Sequence, residues 1–173
     1  MPVRAIDLLH ESGRALKRPD PSVFSLGEHT VGGETQPTLA AVAPCRIIWT
    51  LWFPPRGVVR TAVAALQRGD APATLTFRVG VSDDRLYDAL AERRITVRAD
   101  SPPQWARLEI DLSLYSGRQW SLFYRPDSHP WRLVFNADLT EGHALALWGS
   151  PGVDTDVNGA REWRSRAEQR AQP

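Results

Sequence analysis

Seven tryptophans in 173 residues are the side chains in this sequence whose placement invites chemistry. Trp105 follows Pro102-Pro103-Gln104, Trp120 follows Gly117-Arg118-Gln119, and Trp131 stands in Asp127-Ser128-His129-Pro130-Trp131-Arg132. An indole at a surface offers a flat apolar face, and polar neighbours can hydrogen-bond a ligand laid on that face. A polyhydroxylated ring, which has C–H groups on its faces and hydroxyls around its rim, suits such a pair. The segment around Trp131 is the most site-like. The expected ligand-binding residues are Trp131 with Asp127, His129 and Arg132, together with Trp120 and Tyr124. A plainer reading of the same residues has Trp131 capping the core and His129 ending a turn. Trp49 and Trp148 lie inside apolar runs and read as packing residues, whereas Trp52 and Trp163 could pack against another element or chain.

Other chemistries find less support. His10, His29, His129 and His143 show no metal-ligand spacing, and the sequence has no nucleophile elbow, phosphate loop or dinucleotide fingerprint. Cys45 is the sole cysteine, which excludes an intrachain disulfide framework, and beside Pro44 it reads as a small buried side chain. Glu109 and Asp111 share one strand face, as a glycosidic acid–base pair could, but Arg107 continues that row and makes it a charged stripe. No catalytic residue is assigned.

Twenty-one basic and twenty acidic side chains leave a formal charge of +1, so nothing advertises a nucleic-acid partner. The longest uncharged apolar stretch, around Ile47 to Phe53, is too short for a membrane-crossing helix. The opening residues lack the apolar segment of a secretory signal, so the chain reads as soluble as given, with its localisation open.

The elements that must position these residues follow from alternation. In Thr74-Leu75-Thr76-Phe77-Arg78-Val79-Gly80-Val81, Leu75, Phe77, Val79 and Val81 point one way, as in a half-buried strand. In Cys45 to Pro54, Ile47, Trp49, Leu51 and Phe53 share one face and Ile48 and Trp52 the other, which suggests a strand at the centre of a sheet. Further runs begin near Ile95, Trp105, Trp120, Trp131 and Ala144, separated by Pro, Gly, Asp and Ser clusters. The division is a lead-in over 1–21, a body over 22–153 and a charged tail over 154–173 that is partly disordered or briefly helical. Ile6, Leu8, Leu9, Ala15 and Leu16 could form a one-sided helical stripe, limited by Gly13 and Pro19-Asp20-Pro21, so the lead-in either docks as a short helix or pairs loosely with the body. Residues 83–94 form either three helical turns or an excursion between strands, and 57–70 either an edge strand with a turn or a short helix.

Two signatures carry a resemblance: Asp111-Leu112-Ser113-Leu114-Tyr115-Ser116-Gly117, and Trp148-Gly149-Ser150-Pro151 after an apolar strand. With the run from Val31-Gly32-Gly33-Glu34 through Pro54, and the strands at Thr74 and Ile95, residues 22–153 resemble a galactose-binding-like jelly roll. Such modules are accessory parts of glycoside hydrolases and many bacterial proteins. The resemblance implies an all-β antiparallel sandwich and admits a structural calcium, for which Glu28, Glu34, Asp138 and Glu141 are candidates; no other cofactor is implied. Both signatures also have local explanations. Asp111 and Ser113 can hold a turn through backbone N–H groups, and Trp148-Gly149 with Pro151 can end the last strand.

The function expected is non-catalytic recognition, with carbohydrate or a glycoconjugate as ligand. The alternative is a protein-interaction or homodimerisation module, bound to a partner protein or parent domain. A jelly-roll enzyme is the third reading.

Overall fold

Leu75, Phe77, Val79 and Val81 are at most 1% exposed along β7, Ala73–Ser82, so the clearest alternation in the sequence is a core strand. The computed structural model describes residues 2–83, 85–115 and 130–156. Sheet one holds, in spatial order, β3 (Phe24–Val31), β4 (Glu34–Val42), β11 (Ala144–Asp156), β6 (Gly57–Gln67) and β9 (Ala106–Asp111), with β1 (Pro2–Asp7) also paired to β11. Sheet two runs β2 (Leu16–Arg18), β5 (Cys45–Leu51), β10 (Trp131–Glu141), β7 and β8 (Tyr87–Val97). All pairings are antiparallel, and the two layers form a β-sandwich of jelly-roll type.

The layers meet through alternate residues of each strand. Ile47 and Trp49 of β5, Phe77 of β7 and Leu133 and Phe135 of β10 face Leu39, Val59, Val63 and Trp148 of sheet one, all within one buried cluster. The Trp49 ring meets Phe135 edge-on at 4.9 Å, and Trp148 meets Phe77 edge-on at 5.6 Å while lying 6.1 Å from Phe135. Burying each such side chain contributes about 1.5–3 kcal/mol before entropy is counted.

The Asp111 corner forms as expected as far as Tyr115, while Ser116 and Gly117 lie outside the described residues. The Asp111 carboxylate accepts from Ser113 N at 2.8 Å, Tyr115 N donates to the Leu112 carbonyl at 2.8 Å, and Leu112 is fully buried.

Several expectations change. Of the two readings of the lead-in, pairing with the body holds and the α-helix does not. β1 pairs with the far half of β11, β2 pairs with β5, and helical geometry between them is confined to a 3-10 turn, His10–Arg14. Tertiary pairing takes over because Asp7 closes a turn onto Leu9 N at 3.0 Å and Leu8 N donates to the Pro151 carbonyl. Residues 87–97 are strand, and β6 lies inside sheet one between β11 and β9. β5 is not central: only three-residue β2 flanks its outer side, and Trp52 just beyond it is 57% exposed. Nor does β11 stop at Pro151. A bulge between Gly149 and Gly152, with Ser150 at φ 44°, carries it to Asp156 and lets β4 and β1 share one of its edges.

Candidate functional site

Each sheet has an outer face with a cleft, and the two differ in what their polar groups are doing. On sheet one, directly paired residues place Gly27, Thr38, Gly149, Ala62 and Arg107 in one row across five strands. The small side chains leave room for the Trp105 indole, which reaches across the sheet to donate from Nε1 to the Glu34 carbonyl at 2.9 Å. Arg107 reaches the Glu34 carboxylate at 2.5 Å. Beside this strap lies a cleft of about 700 Å³ walled by Arg4, Gln36, Arg60 and Glu109.

Its charges are already engaged. Asp154, nearly buried, receives Arg4 at 2.6 Å and Arg60 at 3.2 Å, and Arg60 also holds Glu109 at 2.7 Å. Burial opposes the charge on Arg60, but the hydrogen bonds and charges of Glu109 and Asp154 outweigh it and raise its pKa. Glu109, once a candidate half of a carboxylate pair, is thus an ion-pair partner, and Asp111 is a turn cap. This face locks β1, β6 and β9 together.

The outer face of sheet two is organised differently. Paired residues of an antiparallel ladder project to the same side. Leu16, Ile48, Val134 and Gly80 therefore form an apolar row across β2, β5, β10 and β7, about 14 Å long at about 4.8 Å per strand. Tyr87 closes its end. A Cβ built on Gly80 would fall 2.6 Å from Cζ and Oη and 2.7 Å from Cε2 of Tyr87, so the phenol end of the ring lies over bare backbone. Tyr87 remains 52% exposed.

Polar rows flank this lane. One side carries Arg18, Arg46, Asn136, Arg78 and Glu92, the other Thr50, Arg132 and Ser82. A cleft of about 490 Å³ opens between Tyr87, Ile48, Val134, Asn136, Arg46 and Arg78. Arg78 is held by Glu92 at 3.2 Å and by Asp138. The side chains of Arg46, Asn136 and Tyr87 have no hydrogen-bond partner among the described residues.

The residues expected from sequence separate here. Trp131 is 5% exposed and packs edge-on against Tyr115 at 4.9 Å, so its indole is a core surface and not an open platform. The alternation of β10 sends Trp131 inward and Arg132 outward onto the row of Ser82 and Thr50. Asp127, His129, Trp120 and Tyr124 lie outside the described residues. Tyr87 was not anticipated. Its signal was Gly80, a missing side chain on the outward alternation of β7, which marks a close approach by another group.

The calcium candidates are scattered. Glu28 and Glu34 are on sheet one, while Asp138 and Glu141 are on sheet two; Arg107 engages Glu34 and Arg78 engages Asp138. Among the described residues no group of three or more His, Cys, Asp or Glu could hold a metal ion.

Cys45 is buried as expected, and its thiol is pushed up to about 12 by burial and then by the nearby Asp138 charge. A thiol reagent at pH 8 is expected to label the folded protein far more slowly than the same protein in denaturant, since the thiolate is the reactive form. Equal rates in the two conditions would refute this burial. Because the raised thiol favours the neutral form, its contribution to stability is complete below about pH 8.5 and is lost as pH rises toward 12.

No protein-family model and no curated protein matches the chain. Among solved structures, it is similar to the CBM22-1 xylan-binding domain from Paenibacillus barcinonensis Xyn10C, with 17% identity and a TM-score of 0.44 over 80% of this chain and 83% of that one. It is similar also to the C-terminal family 22 carbohydrate binding module of Clostridium thermocellum Xyn10B, with 14% identity and a TM-score of 0.45 over 88% and 93%. A third similar structure contains the CBM51-2 and INT domains of Clostridium perfringens ZmpB, with 14% identity and a TM-score of 0.46 over 82% of this chain. The match spans 28% of the length of that last chain. What those domains bind belongs to them; the chemistry open to this chain follows from its own surface.

Proposed function

We propose that this protein is a non-catalytic carbohydrate-recognition module whose ligand lies on the outer face of sheet two. The observation that carries the reading is the Tyr87 ring, backed by Gly80 on one side, half exposed, and standing at the end of an apolar lane between polar rows. A sugar would stack a C–H face on Tyr87 and the lane, and direct its hydroxyls to Asn136, Ser82, Arg46 and Arg132. Arg132 keeps the role expected of it from sequence, with Tyr87 replacing Trp131 as platform. A non-catalytic role is supported by the engagement of Glu109, Glu34, Glu92 and Asp138 in ion pairs.

Saturable binding to at least one soluble polysaccharide or glycan-array member is expected. Tyr87→Ala should weaken it by about 1–3 kcal/mol, or roughly 5- to 150-fold, through loss of the stacked surface. Tyr87→Phe, which keeps the ring, should retain most of the affinity. A folded protein that binds no glycan would overturn the reading, and full affinity in folded Tyr87→Ala would remove the ligand from this face.

A second reading, association with a protein, draws on the exposure of Leu16 in the lane, of Leu86 on the cleft wall and of Trp52 just past β5. Sedimentation separates the two. A concentration-dependent dimer that Tyr87→Ala dissolves would favour the interface, and a monomer at all concentrations would remove homodimerisation.

A further inference from the structure

We infer that the ligand of this face is an acidic saccharide, bearing a carboxylate or sulfate that seats between Arg18 and Arg46; this rests on the proposed carbohydrate reading and names the class of sugar. Two other arginines of the sandwich stand directly opposite an acid and are held by it. Arg60 is directly opposite Glu109 and binds it, and Arg78 is directly opposite Glu92 and binds it. Arg46 has no such neighbour. Its direct neighbour on β2 is Arg18, a like charge, and its neighbour on β10 is Asn136, which is uncharged.

Like charges directly opposite on a sheet are destabilising, so pairing Arg18 with Arg46 leaves a positive potential for an anion to relieve. The nearby acids are otherwise occupied. Asp138, two residues beyond Asn136 on the same face, is bound by Arg78. The Asp83 carboxylate at the far end of the cleft accepts the backbone N–H groups of Arg85 and Leu86, at 2.8 and 2.7 Å. Arg46 itself is exposed and has no acidic partner among the described residues. Arg46 lines the same cleft as Tyr87, so one ligand can stack on the tyrosine and reach Arg46, with Arg18 directly opposite it on β2. Guanidinium forks bind carboxylate and sulfate oxygens bidentately, which a hydroxyl cannot match.

The test compares polygalacturonate, dextran sulfate and a neutral β-glucan by affinity electrophoresis and calorimetry, at low salt and at 0.5 M NaCl. At least one acidic polymer is expected to bind about tenfold tighter than the neutral one, with the preference eroded by salt. Which acidic polymer wins tells carboxylate from sulfate. Arg46→Gln should bring the acidic-to-neutral affinity ratio close to one, while Arg68→Gln, an exposed arginine on the turn after β6, should leave the ratio unchanged. Thermal melting confirms that each variant is folded, and Arg46→Lys, which keeps charge but loses the fork, should show an intermediate ratio.

Equal affinity for neutral and acidic polymers, or an equal loss of preference in Arg46→Gln and Arg68→Gln, overturns the acidic-ligand inference and leaves the carbohydrate reading standing. No binding to any of the three polymers or to a glycan array overturns both.

Discussion

Trp148→Ala is expected to remove about 3–5 kcal/mol of folding free energy, lowering Tm by about 6–20 °C for a chain of this size. Trp148 is fully buried and is the point where sheet one reaches into the aromatic cluster of sheet two, touching Phe77 edge-on and Phe135 at a tilt. Truncation leaves a void between two sheets that are each hydrogen-bonded internally, so neither can collapse freely into it. Trp148→Phe should lose much less. The indole N–H has no hydrogen-bond partner in the structure, so nothing polar is orphaned when it goes. Chemical denaturation of both variants checks the claim. A Trp148→Ala loss below about 1 kcal/mol would mean that the layers do not depend on this residue.

Gly142→Ala should be nearly as damaging, at about 2–5 kcal/mol, though it adds only a methyl group. Gly142 turns the chain from β10 in sheet two to β11 in sheet one at φ 68°, a conformation that penalises side chains. A Cβ there would also run into the Pro72 carbonyl oxygen and stand 3.0 Å from Ala73 Cα. Both obstacles are backbone, which cannot rotate aside. Gly33 supplies the control. Its φ is 81°, yet a Cβ meets nothing within 4 Å, so Gly33→Ala should show only the left-handed penalty of about 1–2 kcal/mol. Equal denaturation midpoints for the two variants would count against the steric part. Since Ala73 begins β7, which carries Gly80, a displaced Gly142 turn should also reduce glycan binding.

The strand order within each sheet was not readable from the chain, but many of its inward faces were. Alternation around Leu75 and Phe77 settled which residues enter the core, because a pleat admits only two directions. The Asp111 turn was equally local, needing only a carboxylate two residues before a free N–H. The lead-in, left open between a helix and pairing with the body, is the opposite case. Ile6, Leu8 and Leu9 satisfy a helical stripe, but their partner is the second half of β11, some 145 residues away, and no local pattern announces that pairing. Asp154 shows the same dependence: assigned to a charged tail, it is buried beneath Arg4 and Arg60 once β11 continues past its bulge.

The site divides along the same line. By itself the sequence determined the apolar alternation, the all-β class, and the burial of Cys45 and Trp49, since each depends on neighbours one or two residues away. Tertiary structure alone decided that Trp131 turns inward onto Tyr115, that Tyr87 lies over Gly80, and that Arg18 stands beside Arg46. Those contacts join strands distant in the chain, or sit where a bend sets which side of the sheet a ring covers. Strand register fixes them, and register is a property of the closed sandwich.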